Sequence, residues 1–175
     1  MFTTNTISRR RFVARALSNA ALTASPIRFL ANAQTQKTKG SEMTTLTPYL
    51  LFEGKCHEAM EFYKTCFDGE LTVLKVKDSP AKDRMPEIQQ DKVLNARLTK
   101  GNLEISASDW LRADRTPIRG NMVCLYLRGG TSPELSALFE KLSEGAQVTD
   151  PLEQQFHGYY GALNDKFSVR WMFHG

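Results

Sequence analysis

Cysteine is scarce in this chain of 175 residues: three thiols, Cys56, Cys66 and Cys124, stand at spacings that match no zinc pattern. The odd number allows one disulfide at most, so a disulfide-stapled fold is excluded. Three free thiols are expected, with Cys56 and Cys66 as the pair to examine first. Acidic residues are missing from the first 33 positions, which carry five arginines (Arg9, Arg10, Arg11, Arg15, Arg28). That leaves 18 of the 23 basic residues against 19 acidic ones, so the net charge of +4 comes from the leader and the rest is close to neutral. No nucleic-acid partner is expected from such a balance. A glycine-rich nucleotide loop after the first strand is absent, as is any Ser/His/Asp or Cys/His arrangement in a recognisable local context. At 41% hydrophobic and 24% charged, the chain is one ordinary globular domain with an extension.

The extension reads as a targeting segment. Ser8-Arg9-Arg10-Arg11-Phe12-Val13 resembles the twin-arginine export motif, and Ala31-Asn32-Ala33 supplies the small-x-small pattern of signal peptidase, placing cleavage before Gln34. Between them, the weakly apolar stretch 13–30 is interrupted by Arg15, Pro26 and Arg28, so no stable membrane span is expected. This gives a leader over 1–33 and an exported, periplasmic protein. A start at Met43 would give a cytoplasmic one. Residues 34–45 are polar, lack a hydrophobic period and read as a flexible linker.

The domain follows over 46–175. A short apolar run at 48–52 has strand length, and Cys56, Ala59, Met60, Tyr63 and Phe67 then fall on one helical stripe that Asp68-Gly69 stops. Residues 71–77, 93–99 and 103–108 alternate as strands, the last two joined as a hairpin by Lys100-Gly101-Asn102. After a loop over 110–120 the order repeats. A strand at 122–127 precedes a helix capped by Ser132 with Pro133 in its first turn and striped by Leu135, Leu138, Phe139 and Leu142. Strands at 147–152, 159–163 and 169–173 complete it. The fold expected is therefore α+β: tandem β-α-β-β-β modules, about 46–109 and 121–175, whose sheets form one curved half-barrel with the helices outside.

Several stretches carry a resemblance: Pro48-Tyr49-Leu50-Leu51-Phe52 with Gly54, Glu58-Ala59-Met60-Glu61-Phe62-Tyr63, and the ending from Phe156-His157-Gly158 through Asp165-Lys166-Phe167-Ser168-Val169-Arg170-Trp171-Met172. In this order they resemble the PhnB-like branch of the vicinal oxygen chelate superfamily, which includes glyoxalase I, bleomycin-resistance proteins and extradiol dioxygenases. The branch is sometimes labelled a demethylubiquinone methyltransferase, an activity the missing nucleotide loop argues against.

In enzymes of that superfamily a divalent metal in the concave cavity is held by His, Gln or Glu from the first and last strand of each module. The resemblance places those positions near Pro48, Ser106, Met122 and Trp171, none of which is a metal ligand. Glu104 shares a face with Ser106 and is a weak metal candidate that His157 could join. No cofactor is expected. His57-Glu58-Ala59-Met60-Glu61 imitates a zinc helix but reads as a solvated helix face. His174 reads as an exposed terminal residue, and Cys124 as a thiol that faces the cavity or is buried for packing. Parity and module symmetry line the cavity with Asn95, Ser106, Ser108, Met122, Tyr126, His157, Tyr160 and Trp171, and send Arg170 to the helix side. The expected function is metal-free binding of a small organic molecule, stacked on Trp171 and Tyr160 and hydrogen-bonded by His157 and Asn95. The alternative is a lyase- or dioxygenase-like enzyme with His157 as acid or base, and a purely structural role is a third. A homodimer is expected in either case.

Overall fold

The computed structural model describes residues 44–175, and the leader, its export motif and Met43 lie outside them. The alternating segments of the first half form β1 (Tyr49–Phe52), β2 (Glu70–Lys75), β3 (Val93–Lys100) and β4 (Leu103–Asp109), with helix α1 (Cys56–Phe67) after β1. The second half repeats this with β5 (Leu125–Arg128), α2 (Ser132–Leu142), β6 (Gln147–Gln155), β7 (Gly158–Asn164) and β8 (Arg170–His174). Each half makes a four-stranded mixed sheet of the same order, β1-β4-β3-β2 and β5-β8-β7-β6, in which only the first pair is parallel. The predicted duplication of a β-α-β-β-β unit is thus observed, and among the described residues the strands do not close into a barrel.

Both helices form where apolar stripes meet good terminal chemistry. On α1 the buried stripe is Cys56, Ala59, Met60, Tyr63 and Cys66, and Asp68, not Gly69, takes the left-handed φ of 51° that ends the helix. Its start has no side-chain cap from Lys55. The buried carboxylate of Asp109 serves instead, accepting from the backbone N–H of Cys56 (3.0 Å) and of Val93 (2.8 Å), which ties α1 to the beginning of β3. On α2 the cap is Thr131, one residue before the predicted Ser132. Its side chain forms a capping box with Glu134, whose carboxyl is held below its ordinary range by the Thr131 backbone N–H and then the hydroxyl.

One core lies under both modules. Tyr63 of α1 packs edge-on to Trp171 of β8, ring centroids 5.4 Å apart, so the first module's helix rests on the second module's last strand. Asp165, 4% exposed, sits behind this pair and is fully bonded. One carboxylate oxygen accepts from Tyr63 Oη (2.6 Å) and Trp171 Nε1 (2.8 Å), the other from the backbone N–H groups of Phe167 and Val169 (2.9 Å each). Without those four donors a carboxylate at this depth would be strongly unfavourable.

The strand limits move at one place that matters. The predicted strand 122–127 begins only at Leu125, and Met122 is 97% exposed on the connecting loop. That loop has no hydrophobic period, and the apolar pair Met122 and Val123 imitates a strand start.

Removing the hydroxyl with Tyr63→Phe should cost about 1.5–3 kcal/mol, the range for a hydrogen bond to a charged group. Asp165→Ala, which strands several buried donors, should cost at least as much. Urea unfolding monitored by tryptophan fluorescence would check both values.

Candidate functional site

Each sheet buries one face under the helices and leaves the other open, and strand register decides which side chains share the open face. On the first sheet the pairings Tyr49↔Ser106, Leu51↔Ser108 and Arg97↔Ser106 place Tyr49, Leu51, Arg97, Ser106 and Ser108 there, with Asn95 two residues from Arg97. Asn95, Ser106 and Ser108 therefore lie on one face, as parity predicts, although Ser108 itself is buried. Glu104 shares this face but is engaged in an ion pair with Arg97.

On the second sheet the parity of the last strand is reversed from the prediction. Trp171 and Phe173 are the buried members of β8, while Arg170, Met172 and His174 alternate with them on the open face. Trp171 is 1% exposed and gives its indole N–H to Asp165, so its side chain has no free polar group with which to hold a ligand. The cause is a one-residue slip between the modules. The register pairs Tyr49 with Ser106 and Tyr126 with Met172, so Ser106 corresponds to Met172, not Trp171, and a slip of one turns every side chain over.

His157, Tyr160 and Tyr126 do come together, with a fourth ring that sequence reasoning set aside. Phe156 and His157 form the two-residue turn between β6 and β7, and the pair Tyr160↔His174 brings that turn beside the end of β8. The His157 and His174 rings lie 5.4 Å apart, with Tyr160 6.2 Å from His157 and Tyr126 6.2 Å from His174. Gly158 permits this arrangement: its φ of 121° suits glycine, and a Cβ there would strike the carbonyl of Gly175. His174 is half-buried in this cluster, not a free terminal residue. Matching Tyr49 to Tyr126 as the exposed aromatic of each module's first strand would have revealed it.

Two clefts open beside β5. The larger, about 820 Å³, is bordered by Pro48, Glu104, Tyr126, Arg128 and the rim of Trp171. The smaller, about 740 Å³, lies between β1 and the start of β8. Val123, Cys124 and Leu125 line both, so the half-buried Cys124 thiol faces open space. Cys56 and Cys66 are different: burial pushes the first up to about 12, aided by the Asp109 charge, and the second up to about 11.

The residues present do not fit a chelated metal. The positions taken from the superfamily, near Pro48, Ser106, Met122 and Trp171, become Tyr49, Ser106, Tyr126 and Met172 once the register is corrected, and none is a histidine or a carboxylate. Among the described residues no three His, Cys, Asp or Glu side chains converge. The helix motif His57-Glu58 lies on an exposed face, with Glu58 paired to Lys55.

Tandem modules of this order, with open faces opposite the helices, define a domain of the vicinal oxygen chelate fold. A glyoxylase/bleomycin resistance protein/dioxygenase domain from Frankia has the same fold, with a TM-score of 0.53 over 77% of this chain and 98% of the other at 17% identity. The chain belongs to the family described as 3-demethylubiquinone-9 3-methyltransferase, whose family model matches residues 44–173. Among solved relatives, PA1353 from Pseudomonas aeruginosa is 33% identical with a TM-score of 0.65, covering 75% of this chain and 97% of its own. The PhnB protein from Bacillus cereus is 26% identical with a TM-score of 0.61, covering 75% and 98%. Protein YjdN of Escherichia coli K12 is 27% identical over 141 residues, 73% of this chain and 92% of its own.

Thiol chemistry gives a direct check. Ellman's reagent at pH 8 should react promptly with Cys124 and reach Cys56 and Cys66 only on unfolding. Because burial raises both thiols above the ordinary value of 9.0, the folded state holds protons that the unfolded chain releases. Their contribution is complete below pH 9 and declines towards pH 12, so urea midpoints should fall steadily across that window.

Proposed function

We propose that the domain binds a small, partly aromatic organic molecule on the open side of its sheets, without the metal chelation of the superfamily's enzymes. The observation that supports this most is the paired clefts of about 820 and 740 Å³ sharing the wall 123–125, with Tyr126 on the rim of the larger. Rings of His157, His174 and Tyr160 continue from Tyr126, a surface suited to stacking a planar group. Asn95 and Ser106 add hydrogen-bonding groups on the first sheet's open face, outside the lining of the two clefts.

The family's name implies methyl transfer, and the local chemistry argues against a nucleotide-type methyl donor at the usual place. After β1 a single glycine, Gly54, precedes α1, and Asp109 already accepts from the first N–H of that helix. A second reading, acid-base catalysis by His157, draws support from its ring contact with His174. We also read the chain as forming a homodimer, and the leader as an export signal.

A screen of small aromatic compounds by thermal melting of the full chain in EDTA would test the binding reading. At least one compound should raise the melting temperature by several degrees at about 100 times its Kd. Tyr126→Ala or His157→Ala should then weaken it about 2- to 10-fold, the worth of one aromatic contact. Binding that appears only with added zinc, nickel, iron or manganese would favour the enzyme reading.

A further inference from the structure

We infer that the smaller cleft selects a ligand with an anionic head group, a carboxylate or a phosphate, joined to an apolar body. The inference rests on the small-molecule reading above and adds the charge of the ligand and the residues that recognise it.

The lining of this cleft contains two arginines, Arg119 and Arg170, and no carboxylate. Arg170 is the informative one. It stands on the open face of β8, partly buried, and among the described residues it makes no ion pair. Asp165, the acid nearest to it in sequence, has both oxygens committed to Tyr63, Trp171 and two backbone N–H groups. A guanidinium on the wall of a cleft and free of an acid is open to an incoming anion, and its fork of donors matches the two oxygens of a carboxylate or phosphate.

The neighbours of Arg170 extend the same chemistry. Across the sheet, Gln147, Asn164 and Arg170 form one row, set by the pairs Gln147↔Asn164 and Asn164↔Arg170. Asn164 donates to Gln147 Oε1 at 3.3 Å, which leaves the Gln147 N–H groups to point elsewhere. Arg119 enters from the loop opposite and is held by Glu53 at 2.9 Å, an exposed pair that an incoming anion can share or displace. The wall also carries apolar surface: Tyr49 and Leu51 are half exposed there, and Leu125 lines it too. Cationic and amide donors beside apolar surface in one cleft suit a small amphipathic acid.

Isothermal titration of the full-length protein with benzoate, phenyl phosphate, inorganic phosphate and the neutral benzyl alcohol separates the possibilities. The inference predicts that benzoate or phenyl phosphate binds at least tenfold more tightly than benzyl alcohol and loses that advantage in Arg170→Gln. Binding of inorganic phosphate alone should be weaker than that of phenyl phosphate, because the apolar wall is unused. The comparison of anion with neutral probe on the unaltered protein needs no variant, and Arg119→Gln provides a second one should Arg170→Gln fold poorly. Benzyl alcohol binding as tightly as the anions, or Arg170→Gln and Arg119→Gln leaving anion binding unchanged, overturns the anionic head group and leaves small-molecule binding intact. Failure of every probe, charged and neutral, overturns both.

Discussion

Asp165 is the point on which the two halves of this domain depend. It follows β7, yet its carboxylate binds Tyr63 in the first module's helix and Trp171 in the second module's last strand. A buried charge is tolerated there because four donors converge on two oxygens, and the loop 165–169 is closed by two of them. The same hydrogen bonds turn Trp171 towards the helices. Alternation then sends Arg170, Met172 and His174 to the open face, so the chemistry of the cleft follows from a contact in the core. Asp109 performs a smaller version of this task, joining the start of α1 to the start of β3.

The open face that results is rich in aromatic, amide and guanidinium groups, and among the described residues no three His, Cys, Asp or Glu side chains converge there. On the first sheet the carboxylate of Glu104 is paired with Arg97. The superfamily's enzymes use the equivalent space to hold a cation that binds two substrate oxygens. Here the positive charge opposite a substrate would come from arginine side chains, which attract an anion and orient it without acting as an open coordination site. The fold is shared, and the proposed function does not extend that chemistry to this domain.

Much of this was legible from the residues alone. The stripes on α1 and α2, the hairpin around Gly101 and the repeated order of elements depend on local periodicity, and all appear in the structure. The first sheet's open face was also readable, because Asn95, Ser106 and Ser108 lie in long strands with clear alternation. The second sheet was misread where periodicity is weakest. Met122 and Val123 look like the start of a strand but belong to the loop, and the first strands of the two modules alternate out of step, so symmetry with Ser106 puts Trp171 on the wrong face. His174 escaped notice because nearness to the chain end was read as exposure, while the turn at Phe156-His157 folds over it. The role of Asp165 has no local signal in the sequence, because its contact with Tyr63 spans 102 residues.

In the proposed function a small molecule occupies the clefts on either side of 123–125, without a metal. The most direct measurement is backbone amide chemical-shift mapping of a screening hit, in EDTA, on the full-length protein. The account predicts shifts concentrated at Cys124, Leu125, Tyr126 and Arg170, with α1 and α2 unaffected. Shifts confined to the helical faces, or absent until a divalent metal is supplied, would contradict it.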